Sequence, residues 1–318
     1  MVVSTLRNAV SGVAATMRSY HRPSPFYVEG LGFGRSSLER WAHGLFRALE
    51  KKDPPPRKEK AIVPDLLRDI VAITQNAGDA LAHTRDLIVG AYFFAMRACE
   101  FVRTKVRGQT KRISLENLTF RDRRRVELDQ RDPDLRGKAA FVTVCFVNQK
   151  NGDRMDRRSQ RRTSSEILCP VRAWCDVVQR IRRLDPRARP ETPVCQIKSG
   201  TLNFGISITD NQVIRLLRTT CRRFDGERRY GIKPQDLGSR SIRLGAAMAL
   251  FLQHQDVKRI KILGRWKSNS FEAYIRPQVL EWTDNLAEDM AMLGRFTDLA
   301  ESRSESQDTV VDQPDNTA

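Results

Sequence analysis

The run Leu237 to Pro277, LGSRSIRLGAAMALFLQHQDVKRIKILGRWKSNSFEAYIRP, opens with two arginines one helical turn apart, Arg240 and Arg243. Gly264-Arg265-Trp266 follows, then Tyr274, nine residues after Arg265. A phenol is a poor nucleophile at neutral pH, because its pKa is about 10. It attacks a phosphodiester usefully once the phosphate is clamped and its charge offset. Arginine suits that clamp, since its planar fork reaches two phosphate oxygens and keeps its charge. Residues three apart on a helix share a face, so this pair can point at one phosphate. The plainer reading is a basic amphipathic helix with a core tyrosine. Arg-x-x-Arg alone says little in a chain so rich in arginine.

Two other segments place charge in unusual settings. MRACEF sets Arg97 and Glu100 one turn apart, after a run from about Ala82 to Met96 that is apolar on nearly all faces. A charged arginine there needs a partner or a purpose. Either an Arg97–Glu100 ion pair holds a helix end, or Arg97 is a phosphate ligand oriented from behind by Glu100. Lys150 lies in QKNGD, where Asn151-Gly152 is a strong hairpin turn. Turn lysines are usually just solvated, but a hairpin tip can reach into a DNA groove and offer a proton.

The elements that hold these residues belong to a chain of 318 residues, enough for one large domain or two. Its formal charge of +18 and pI of about 10.2 predict a polyanionic partner, nucleic acid ahead of an anionic membrane. The tail from Glu301 to Ala318 is the exception. There Glu301, Glu305, Asp308, Asp312 and Asp315 oppose Arg303, without aromatics, so residues 300–318 are expected to be disordered. The cysteines (Cys99, Cys145, Cys169, Cys175, Cys195 and Cys221) form no Cys-x-x-Cys and the histidines are scattered, so no metal site is expected. They read as free thiols in a reducing compartment. The longest apolar run, Leu87 to Met96, is too short to span a bilayer.

The first 28 residues carry no acid, which superficially suits a mitochondrial transit peptide. Ordinary structure is the better expectation. Residues 1–50 read as helical pieces broken by HRPSPFYVEGLGFGRSS, with Ser36-Ser37 capping a helix through Leu38, Trp41, Leu45, Phe46 and Leu49. That is too little for an independent core and reads as the last part of a helical module. Residues 51–61, with KKDPPPRKEK, form a stiff charged linker. The second domain, 62–299, starts helical at Pro64. Strands are expected at Arg112–Phe120 and Ala139–Asn148, with a third in RRTSSEIL, 161–168. Helices resume at Cys169–Leu184, Thr209–Phe224, Ser239–Leu252 and from about Asp256 to Gly264, with a last one at Leu280–Leu299. The expected fold is mixed α+β, mainly α, with a small sheet and hairpin.

The ordered set of Arg97, a hairpin Lys150, Arg240-x-x-Arg243, Gly264-Arg265-Trp266 and Tyr274 resembles the tyrosine recombinase (phage integrase) family. The likeness is closest to the recombinases of Crypton and DIRS-type eukaryotic mobile elements. FVNQKNGD, LCPVRAW, SIRLGAA and LGRWKSNSFEAYIRP carry it, and it runs from about Leu38 to Leu293. The resemblance implies a tyrosine recombinase catalytic domain over 62–299, preceded by a partial helical core-binding (SAM-like) module over 1–50. It implies that Tyr274 attacks phosphorus, forms a 3′-phosphotyrosyl link and releases a 5′-hydroxyl. Arg97 and Arg243 would hold the non-bridging oxygens, with Arg240 and Arg265 at the family's other catalytic positions. Lys150 would protonate the leaving oxygen, Glu100 would support Arg97, and Trp266 stands beside Arg265. No cofactor and no metal are implied. The implied partner is double-stranded DNA, bound by a tetramer on two sites, with the Leu280–Leu299 helix docking into a neighbouring subunit. A eukaryotic element implies the nucleus, and RDRRR (Arg121–Arg125) and RRSQRR (Arg157–Arg162) could serve import or face DNA.

The chain departs from the family pattern in three places. Arg240 stands where His is usual, and a guanidinium cannot act as a general base. Arg265 stands where His or Trp is common, although Gly-Arg-Trp is familiar in the Crypton and DIRS-type branch. The amino-terminal module is short. The first and last departures support a rival, a degenerate copy that only binds DNA. A topoisomerase forming a 3′-phosphotyrosine is a further reading, and it would relax supercoils without exchanging partners.

Overall fold

The computed structural model describes residues 3–22, 26–28, 37–38, 40–50, 59–105, 110–149, 152–198, 205–268 and 271–272. Lys150, Tyr274, the expected Leu280–Leu299 helix, the acidic tail and most of the 51–61 linker lie outside them. The chain divides into two compact units between Lys58 and Glu59.

The first unit contains α1 (Val3–Ser19), the two-residue strands β1 (Tyr27–Val28) and β2 (Ser37–Leu38), and α2 (Arg40–Glu50). Val3, Val10, Ala42 and Phe46 form its small core, and the Arg7 guanidinium lies 5.2 Å from the Phe46 ring centroid. The helix expected to start from Ser36-Ser37 begins later, at Arg40. Ser37 and Leu38 instead pair antiparallel with Val28 and Tyr27.

The second unit is mixed α+β and mainly helical. It starts with α3 (Pro64–Ile73), whose proline sits where no helical N–H is needed. Next comes α4 (Asp79–Phe93), apolar on most faces and buried on most of them. It packs against two later helices, α7 (Pro170–Leu184) and α10 (Ser241–Leu252). The helix ends before the expected Met96, because Ala95 takes a left-handed φ of 45°. The chain then enters the single turn α5 (Ala98–Phe101).

The strands β3 (Leu118–Arg121) and β4 (Glu127–Leu128) precede the short helix α6 (Leu135–Lys138), and β5 (Phe141–Asn148) and β6 (Arg154–Arg161) follow it. They form one antiparallel sheet in the order β4-β3-β5-β6. Leu118 and Phe120 stand opposite Val144 and Val142, and with Phe146 they enter the core. Two expectations need correction here. Only the end of Arg112–Phe120 is strand. Ser114 and Asn117 cap each other, with the Ser114 N–H 3.0 Å from Asn117 Oδ1, which winds Leu115–Asn117 into a 3-10 turn. The third strand is Arg154–Arg161 rather than 161–168. Gly152, at φ 81°, donates its N–H to the Gln149 carbonyl, and Asn148 faces Arg154. Its sequence, RMDRRSQR, hides the strand because polar side chains face the protein. Arg158 donates to the Ile262 carbonyl and Gln160 to that of Phe93.

After α7 come the ribbon β7 (Gln196–Lys198) and β8 (Gly205–Ser207), then α8 (Asp210–Arg223) and α9 (Gly226–Tyr230). Thr209 caps α8 through the Gln212 N–H. The last described helix is α11 (Val257–Gly264), capped by Asp256. Gly245 lets α10 approach residue 62, since a Cβ there would lie 2.4 Å from the Ile62 carbonyl oxygen. No helix among the described residues is long and apolar enough to cross a membrane.

Candidate functional site

The last carbonyls of a helix lack intrahelical partners and carry partial negative charge. Just past the end of α4 two guanidiniums meet the carbonyls of its cap residue and of the residue after it. Arg265 Nη1 donates to the Phe94 carbonyl at 3.0 Å, and Arg243 Nη1 to the Ala95 carbonyl at 2.7 Å. The second Arg243 nitrogen donates to the Gly264 carbonyl. The Arg243 guanidinium lies 4.2 Å from the Trp266 ring centroid, a cation–π contact. Arg243 comes from the first turn of α10, and Arg265 from the turn after α11. The corner before Arg97 is thus held by residues far downstream, at separations of 148 for Arg243–Ala95 and 171 for Arg265–Phe94.

Glu100 is the centre of the cluster. It is 1% exposed, and a carboxylate that deep needs bonded cations. Its Oε2 accepts the Arg97 backbone N–H at 2.9 Å and Arg265 Nη2 at 2.7 Å. Its Oε1 accepts Arg97 Nη1 at 3.0 Å. The backbone bond is local, a capping box in which Glu100 sits three residues after the cap of α5. The Arg97 side chain is 20% exposed, so it reaches the surface while Glu100 holds it from below.

Arg265 is placed by an unusual turn. It adopts a left-handed φ of 56° after α11, and the Trp266 N–H returns to the Lys261 carbonyl at 3.0 Å. Glycine usually fills that conformation, and a side chain there costs about 1–2 kcal/mol. The turn sends the guanidinium inward, 3.6 Å from the Phe146 ring centroid, with Nε 3.1 Å from Gln149 Oε1. Burial pushes its pKa below the usual arginine value, and Glu100 opposes that push. Gly264 is required beside it, because a Cβ would lie 1.5 Å from the Trp266 ring.

Of the residues singled out in the sequence, Arg97, Glu100, Arg243, Arg265 and Trp266 meet at this corner. Arg240 does not share the face of Arg243. It stands at the cap of α10, exposed, with its backbone N–H on Glu59 Oε2 at 2.9 Å, whereas Arg243 is 8% exposed. Arg265 faces the interior rather than an open surface. Gln149, 1% exposed, is a site residue that the sequence does not announce, and only its place before the hairpin turn marks it. Its N–H donates to the Asp153 carbonyl, and its side-chain amide to Asp156 Oδ2 at 3.1 Å. Beside this turn opens a cleft of about 520 Å³, bounded in part by Arg265 and Trp266, whose lining mixes Arg158, Lys258, Lys261 and Lys267 with Asp153, Asp156 and Asp256. Lys267 pairs there with Asp153 at 2.8 Å. Among the described residues no group of three or more His, Cys, Asp or Glu side chains is placed to hold a metal ion.

A fixed guanidinium at the surface, backed by a buried carboxylate and two buried arginines, can receive an oxyanion with little reorganisation. No protein-family model matches this chain, and no curated protein matches it. Among solved structures, it is similar to the XerH site-specific recombinase bound to its difH substrate in a pre-cleavage complex (TM-score 0.43, 12% identity, covering 96% of this chain and 70% of that one). It is also similar to the Tn1549 transposon integrase in complex with circular intermediate DNA (TM-score 0.44, 11% identity, 86% and 75% covered). A third likeness is to the XerA recombinase (TM-score 0.38, 10% identity, 96% and 83% covered).

Proposed function

We propose that this chain breaks and rejoins DNA strands through a 3′-phosphotyrosyl intermediate, as the resemblance to tyrosine recombinases implies. The observation that carries the reading is the meeting of Arg97, Glu100, Arg243 and Arg265, with Arg265 and Glu100 bonded across 165 positions. Local structure gives no reason for that convergence. Anchoring one arginine that reaches the surface does. In the proposed step the Tyr274 hydroxyl gives up its proton to solvent as its oxygen attacks phosphorus, and the bond to the 5′-oxygen breaks. Lys150 delivers a proton to that oxygen. Arg97 and Arg243 offset the charge that gathers on the non-bridging oxygens. Reversal by a 5′-hydroxyl restores the strand, because the covalent link retains the bond energy. The net charge of +18 fits a duplex partner. Assembly of four copies on two DNA sites, a mobile-element origin and action in the nucleus complete the reading.

The test is a nicked duplex that traps the covalent intermediate. Wild type is expected to leave a protein–DNA adduct, and Tyr274→Phe none. Equally empty gels from both, on DNA that the protein binds, would overturn the reading. A second reading, DNA binding without cleavage, is favoured by Arg240, an exposed cation where the family uses a base. It expects salt-sensitive binding without adduct. An adduct that appears only in Arg240→His would mark an intact scaffold lacking its base.

A further inference from the structure

We infer that Arg265 is a positioning residue rather than a phosphate ligand, a buried strut that Gln149 fixes at one edge and that holds Glu100, and through it Arg97, at the other. The inference rests on the proposed function only in taking Arg97 as a ligand of the scissile phosphate. The geometry supports it in three ways. The Arg265 side chain is 1% exposed, so its charge is inside the protein. Hydrogen bonds engage all three of its guanidinium nitrogens: Nε with Gln149, Nη1 with the Phe94 and Leu263 carbonyls, and Nη2 with Glu100. The ring of Phe146 covers it at 3.6 Å. Every one of these partners is a protein group that a phosphate would have to displace.

The strut has a defined path. Gln149 cannot slide, because its backbone closes the hairpin: its N–H donates to the Asp153 carbonyl at 3.1 Å, and its carbonyl accepts the Gly152 N–H at 2.9 Å. Its side-chain amide is fixed by Asp156, which leaves Oε1 aimed at Arg265. Arg265 in turn meets one oxygen of Glu100, and the other oxygen is left to Arg97 Nη1. Turning the Glu100 carboxylate would move the Arg97 guanidinium, so Arg265 sets where Arg97 points. A misplacement of about 1 Å at a reacting group costs about a hundredfold in rate. Control of Arg97 through two buried bonds is therefore enough to matter.

Salt dependence separates a ligand from a strut without requiring catalysis. Removing one cation that neutralises a phosphate makes the slope of log affinity against log salt shallower by about 0.9. On one nicked duplex, Arg97→Met is expected to lower the slope by about that amount, and Arg265→Met to leave it within about 0.3 of wild type. A fall with Arg265→Met equal to that with Arg97→Met would overturn the inference. Should Arg265→Met fail to fold, Arg265→Gln, which keeps a donor for Glu100, takes its place under the same criterion. Adduct formation gives the second readout. Gln149→Met removes no charge and is expected to slow it about tenfold at unchanged DNA affinity. The double variant Gln149→Met with Glu100→Gln should be no slower than Glu100→Gln alone. Slowing that multiplies, or no slowing by Gln149→Met in an active protein, would also overturn it. A wild type that binds DNA and forms no adduct defeats the strand-breakage reading instead, and the salt slopes then decide the strut alone.

Discussion

Two charge networks, one around Asp79 and Asp86 of α4 and one just past its end, are built on different terms. Near its start, every guanidinium meets a carboxylate. Arg180 faces Asp86 at 2.8 Å and Asp79 at 3.6 Å, Arg85 meets Asp86 at 2.7 Å, and Arg183 meets Asp79. His83 stands among them, its Nε2 on the Val194 carbonyl at 2.7 Å. At the far end Arg97 and Arg265 share Glu100, while Arg243 is held by carbonyls and an indole. The pairs of Arg180 and Arg183 with Asp79 and Asp86 bridge α7 and α4. Arg243 sits on the Ala95 and Gly264 carbonyls, neutral acceptors that orient it, beside the shared carboxylate of Glu100. We place the proposed anion site at this end because there Glu100 orients an arginine that reaches the surface, Arg97.

The contrast breaks most sharply at Glu100. Glu100→Leu leaves Arg265 buried without its carboxylate and is expected to destabilise the second unit by about 3–5 kcal/mol. Asp86→Asn should cost less, about 1–3 kcal/mol, because Asp79 still faces Arg180. Urea unfolding of the two variants measures the difference, and equal losses would erase the distinction between the networks.

The matched network should also respond to acid through His83. Burial holds its pKa down at about 4, from an ordinary 6.5; Arg180 pushes the same way, while the Val194 carbonyl, Asp86 and Asp79 oppose. The unfolded chain therefore binds a proton that the folded one refuses between those values. Stability attributable to His83 is intact above pH 6.5 and falls as pH drops toward 4, by about 3 kcal/mol at most. His83→Gln should flatten that part of the profile. A wild-type and His83→Gln pair with parallel pH profiles would show that His83 is not held neutral.

These networks are unequally legible in the sequence. The apolar run of α4 and the turn at Gly152 announce themselves by residue type. So does the pairing of Arg97 with Glu100, which is local. The inward course of Arg265 does not, because it depends on a left-handed residue that is neither glycine nor asparagine. Gln149 stays hidden for a related reason: a neutral amide gains its role only from what tertiary folding brings to it. The strand β6 lies earlier than its residue types suggest, because its inward positions are Asp156, Arg158 and Gln160, which break the apolar alternation that marks strands. Arg240 and Arg243 look equivalent on a helical wheel. The helix begins between them, so one is a cap and the other is inside.

The corner can be loosened without touching a charge. Gly264→Ala puts a methyl carbon into the Trp266 ring and must displace it from Arg243. Overpacking of this kind costs about 1–3 kcal/mol. Indole fluorescence should report the displaced Trp266, and adduct yield should fall with it. An unchanged spectrum with normal stability would mean that the ring has room, and that the cation–π contact does not fix Arg243.

The smallest stability effect belongs to Arg240, and it makes the sharpest control. Its side chain is exposed, and the bond that ties the position to Glu59 is made by its backbone N–H, which any residue except proline supplies. Arg240→His should therefore shift unfolding by no more than about 0.5 kcal/mol. Its chemical effect is another matter, since imidazole can accept a proton near neutral pH and guanidinium cannot. If attack by Tyr274 is limited by deprotonation, adduct formation in Arg240→His should rise, with a pH dependence near about 6.5 that wild type lacks. If the cation is needed for the phosphate, the same variant should bind DNA with a shallower salt slope and form less adduct. Either outcome leaves stability in place. A large loss of stability instead would place Arg240 in the fold, and the difference drawn between the cap of α10 and its buried first turn would not hold.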